Sequence, residues 1–96
     1  MSSGLVFIGY IPQPGIVDVQ YMAQNIRRTK GRGIIVFQTP PTYNVQIRAL
    51  HGDVELIRTP NIKKKIKELE GSFREAGHTV ILKNLMDVRD GMRDPM

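Results

Sequence analysis

A chain of 96 residues with a formal net charge of +5 and no cysteine is the size of one domain and has no thiol for disulfides, thiolate catalysis or thiolate metal sites. Apolar residues make up 41% of it and charged residues 24%, ordinary globular values that argue against a disordered chain. The charge is uneven: residues 1–24 carry only Asp18, residues 25–67 carry ten Lys or Arg against Asp53 and Glu55, and residues 68–96 carry four against six acids. A central basic block of this kind attracts phosphate, and its bland alternative is a solvated surface.

LVFIGYI, Leu5 to Ile11, is apolar without polar alternation, which predicts a strand covered on both faces. No basic residue precedes it and PQPG ends it after seven residues, well short of the ~20 of a spanning helix. The chain is therefore read as soluble and cytoplasmic, with no membrane partner. After Pro12, Pro14 and Gly15, the residues Ile16, Val19, Met22, Ala23 and Ile26 form one apolar stripe of a helix, with Asp18 in its first turn, Arg27, Arg28 and Lys30 at its end and Gly31 to stop it.

IIVFQT, from Ile34, predicts a second buried strand, parallel to the first through a right-handed crossover. NVQIRAL and DVELIRT, separated by His51 and Gly52, read as a half-exposed hairpin because the first alternates polar and apolar residues. Ile62, Ile66, Leu69, Phe73 and Ala76 then mark a second helix, capped by Thr59 or Asn61 and ended by Gly77. Gly71 within it costs on the order of 1 kcal/mol relative to alanine, for which close packing on the sheet is the expected reason. HTVILKNL supplies a last strand.

The order is βαβ(ββ)αβ, a small single α/β (α+β) domain over residues 1–85, followed by a loosely ordered C-terminal tail over 86–96. Two architectures fit: a ferredoxin-like plait with an extra strand, placed first, and a small three-layer α/β unit.

KGRGIIVF, Lys30 to Phe37, resembles the octamer of RNA-recognition domains at Lys30, Gly31, Gly33, Ile35 and Phe37, and VFIGYI resembles their hexamer, with Phe7 at its aromatic position. The octamer departs at Arg32 and Ile34, where the family carries its stacking aromatics. Only 18 residues, Pro12 to Thr29, separate the segments, which places the octamer on the second strand instead of the third. Membership in that family is not inferred.

What carries chemistry is charge. Arg27, Arg28, Lys30 and Arg32 cluster at the end of the first helix, and Lys63, Lys64, Lys65 and Lys67 load the start of the second. Lysines there oppose the helix dipole unless an anion joins them, so these eight are the expected nucleic-acid contacts, the two ends facing one rim. Phe7 or Tyr10 would stack on bases if the sheet were open. His51 and Asp53 flank a turn glycine, His78 follows Gly77 as a capping residue, and PQPG lacks the lysine and glycines of a phosphate loop. No catalytic constellation, metal site or cofactor is read.

The leading expectation is a small basic nucleic-acid-binding accessory protein, DNA and RNA being equally compatible, that forms a homodimer or higher homo-oligomer. The alternative is a non-enzymatic interaction or assembly module, of the economy seen in viral or mobile-element accessory proteins. It would self-associate through its sheet, with Tyr10, Tyr21 or Tyr43 as anchors.

Overall fold

Two strands without polar alternation must lie inside a sheet, and strands with mixed faces belong at its edges. The computed structural model, which describes residues 4–92, follows that logic. β1 (Leu5–Tyr10) and β2 (Arg32–Phe37) occupy the centre, and β3 (Val54–Arg58) and β4 (Thr79–Asn84) the edges, in the order β3-β2-β1-β4. All three pairings are parallel: Ile8 stands opposite Ile34 on one side and Leu82 on the other, and Ile35 stands opposite Leu56.

Among the described residues four helices alternate with the strands: α1 (Ile16–Thr29), α2 (Tyr43–His51), α3 (Ile62–Glu75) and α4 (Leu85–Met92). From β1 to β3 the chain steps in one direction, so right-handed crossovers set α1 and α2 on the same face. The return from β3 past β1 to β4 reverses direction and sends α3 to the opposite face. Two cores result. Val19 and Met22 of α1, Val45 and Ala49 of α2 and Leu85 of α4 close over Phe7, Ile35 and Val54. Ile66 of α3, with Ile62, Leu69 and Phe73 partly buried beside it, covers Val6, Ile8, Ile34, Val36 and Val80.

The domain is thus a small α/β unit with four parallel strands and helices on both sheet faces. The ferredoxin-like plait is not formed, because its neighbouring strands run antiparallel and these run parallel.

The expected hairpin is also replaced. Residues 43–51 form a helix, with Thr42 at its N-cap, Gly52 at its C-cap and Asp53 at positive φ turning the chain into β3. Over so short a segment Val45, Ile47 and Ala49 read as a two-residue alternation, yet Val45 and Ala49 are the buried pair, four apart on one helical face. Parallel pairing of β2 with β3 requires a crossover instead of a tight turn, and α2 is that crossover.

The segment from Met86, expected to be loose, continues as α4 to Met92, and residues 93–96 lie outside the described residues. Leu85 is fully buried, Val88 packs against the α1 core, and Arg89 pairs with Asp18 of α1. Gly9 makes room for Leu85: a Cβ there would stand 2.9 Å from its side chain.

Gly71 has no packing reason. It is exposed, and a Cβ there would meet nothing within 4 Å. Gly71→Ala is expected to stabilise the domain by about 0.5–1 kcal/mol, read as a higher urea midpoint with an unchanged m-value. A lower midpoint would mean that α3 needs the flexibility at this position.

Candidate functional site

In an open parallel sheet, ligands bind outside the C-terminal ends of the strands where the order reverses. Here the reversal lies between β1 and β4, the adjacent pair of strands that is not consecutive in the chain. The crevice above their ends has two sides, one under α1 and one under α3.

The α1 side is shut by the chain's own charges. Asp18, only 2% exposed, accepts the backbone N–H of Gly15 at 2.7 Å and pairs with Arg89 of α4. A carboxylate therefore holds the place where a helix start would receive an anion. The α3 side is open. Among the described residues α3 is the one helix on that sheet face, and towards edge strand β4 it leaves a cleft of about 890 Å³.

Tyr10, Ile62, Ile66, Leu82 and Met86 give the cleft an apolar floor, with Leu82 38% and Met86 45% exposed. The alternation along β4 explains this floor, because Val80, Leu82 and Asn84 stand opposite Val6, Ile8 and Tyr10 and so face α3. Val80 is covered, Leu82 is not, and Asn84 ends the strand at the cleft. Exposed Lys63, Lys64 and Lys67 form the rim.

No acid occupies the first turn of α3. Asn61 caps the helix by accepting the N–H of Lys64 at 3.1 Å, which leaves its amide NH₂ free of acceptors among the described residues. Asn84 likewise accepts the N–H of Met86 at 3.0 Å through its oxygen. Glu70 is the acid that lines the cleft, and Arg74 holds it at 2.7 Å.

The structure divides the eight expected contacts. Lys63, Lys64 and Lys67 line the cleft, while Lys65 stands aside in a loose surface pair with Glu68 at 3.9 Å. Arg27, Arg28, Lys30 and Arg32 lie at the opposite, N-terminal end of the strands. α1 ends where β2 begins and α3 begins where β3 ends, so in a parallel sheet the two helix ends face opposite rims. The expectation of one shared rim is corrected on this ground.

Within the distant group, Arg28 donates to Asn25 at 3.0 Å, and Arg32 is tied to Glu55 at 2.7 Å with its guanidinium over Phe73, 5.0 Å from the ring centre. Phe7 is buried beneath the helices of the α1 face and is not open to a base, whereas Tyr10 lines the cleft. His51 is exposed at the end of α2. His78 donates its backbone N–H to Phe73 at 2.9 Å and sets its ring edge-on against that residue. Sequence reasoning missed Asn61 as a cleft residue, together with Leu82, Asn84 and Met86; the alternation of β4 was the signal available for Leu82 and Asn84.

Among the described residues, no three His, Cys, Asp or Glu side chains converge as a metal site, and no helix is long and apolar enough to cross a membrane. The fold and cleft define a small parallel α/β domain with a cationic, apolar-floored crevice at its switch point. A scan against family models and searches of curated proteins and of solved structures return no match.

Proposed function

We propose that this protein binds nucleic acid through phosphate contacts at the start of α3. The observation that carries this reading is the convergence of Lys63, Lys64, Lys67 and the Asn61 amide on a helix start without acids, at the switch-point crevice. Lysine placed against the helix dipole is unfavourable alone and favourable around an anion, because helix N–H groups and ammonium groups then act together. The distant Arg27, Arg28 and Lys30 contribute long-range attraction and not the contact itself. A cytoplasmic setting belongs to the same reading.

The test is fluorescence anisotropy with labelled oligonucleotides across a salt series. Three phosphate contacts to a single strand give a log–log slope of about −2. Absence of binding at ~50 mM salt, or binding indifferent to salt, contradicts the reading.

The second reading, self-association, is favoured by one feature of α2. Tyr43, Ile47 and Leu50 lie at i, i+4 and i+7 on the face opposite Val45 and Ala49, and Tyr43 and Leu50 are exposed. Helices already cover both sheet faces over its centre, so association through this stripe replaces association through the sheet. Sedimentation velocity on this reading shows a dimer at micromolar concentration that Tyr43→Ser/Leu50→Ser converts to monomer. A monomeric parent protein excludes it.

A further inference from the structure

We propose that the cleft seats an unpaired base, so that the protein selects single-stranded over duplex nucleic acid. The inference rests on the phosphate-binding reading and adds to it the apolar half of the site. Lysines alone need only a surface, yet these border a cavity whose floor is Tyr10, Leu82 and Met86. About 890 Å³ lies within the range of pockets that enclose a small organic group. A base has an apolar face and a polar edge, and the cleft offers the complement of both. Its floor is a ring, an isobutyl group and a thioether, and the NH₂ groups of Asn61 and Asn84, which have no acceptor among the described residues, flank that floor as donors.

Proteins that hold single strands combine these two elements, a cationic track and an aromatic platform. A duplex has the same phosphates but keeps its base faces stacked, so it can use the rim and not the floor.

A second feature points to a strand instead of a free nucleotide. Next to the cleft, across Pro60 and Asn61, lies a smaller cavity lined by Gln38, Arg58, Thr59 and Pro60. Arg58 donates through Nε to the carbonyl of Gln38 at 3.2 Å, and its two terminal nitrogens have no acceptor among the described residues. A strand with one base in the cleft and its phosphate on Lys63 and Lys64 continues over the start of α3 towards that guanidinium.

The experiment compares four probes at low salt: a short oligothymidylate, an abasic strand of the same length and charge, a duplex, and thymidine monophosphate as competitor. The expected result is oligothymidylate binding about tenfold or more tighter than the abasic strand, from one stacked base, with the duplex resembling the abasic strand. In Tyr21→Phe/Tyr43→Phe protein, Tyr10 is the one remaining tyrosine, and oligothymidylate should quench its emission while the abasic strand does not. Met86→Ser, at an exposed position, should narrow the difference between the two strands.

Equal, lysine-dependent binding of both strands overturns the base seat and leaves the phosphate reading standing. No binding by any probe overturns both. Binding of the mononucleotide as tight as that of the strand overturns selection of a strand in favour of a free nucleotide.

Discussion

Replacing Arg89 by methionine is expected to lower the stability of the domain by about 2–3 kcal/mol, a fall in Tm of roughly 10–20 °C for a domain of this size. Asp18 is 2% exposed, and its charge is balanced by the Arg89 guanidinium and one backbone N–H. Methionine retains the apolar stem but leaves the carboxylate buried without its counter-charge. The loss stays below the ~3–5 kcal/mol of a fully buried pair because 37% of the Arg89 side chain meets solvent.

A double-mutant cycle separates charge from packing. In an Asp18→Asn background, where the asparagine oxygen can still accept the Gly15 N–H, the same Arg89 substitution should cost under ~1 kcal/mol. An equal cost in both backgrounds would mean that Arg89 acts through its stem, as long cationic side chains can.

The largest functional effect is expected from Lys63→Gln/Lys64→Gln/Lys67→Gln. If each lysine neutralises one phosphate, the triple substitution weakens single-strand binding about 100-fold at ~50 mM salt and removes most of the salt slope. Arg27→Gln/Arg28→Gln/Lys30→Gln lowers the net charge equally, from +5 to +2, but at the opposite end of the strands. It is expected to change affinity less than about fivefold, through long-range attraction alone. Matched losses in the two variants would show that net charge, not the cleft, governs binding. All six positions are exposed, five of them within α1 or α3 and Lys30 at the C-cap of α1 with positive φ, and melting curves verify that each variant folds.

Much of this architecture is visible in the residues, for reasons that also mark where the reading stops. LVFIGY and GIIVF are apolar on both faces because each lies between two other strands under helices on both sides. The stripes of α1 and α3 are legible because one face of each meets the sheet. α2 was not, since seven residues cannot separate an alternation from a short amphipathic helix when Val45, Ile47 and Ala49 satisfy both. The direction of β3 was equally hidden, because it depends on whether a crossover or a turn joins β2 to β3.

That direction decides the site. Every lysine of the rim was visible, yet splitting the cations into two groups required knowing that α1 ends and α3 begins at opposite ends of the strands. Leu82 and Met86 carry no charge and no motif, and they matter only because α3 leaves β4 uncovered. Arg89 and Asp18 meet across 71 positions of sequence, a pairing that no local pattern announces.

The most direct measurement of the central claim is amide chemical-shift mapping of the labelled protein titrated with a short single strand at low salt. Perturbations are predicted at Tyr10, Ile11, Asn61 to Lys64, Ile66, Lys67, Leu82, Asn84 and Met86, which line the cleft. Shifts concentrated at Arg27 to Arg32, or on the exposed face of α2, would contradict the assignment of the cleft as the nucleic-acid site.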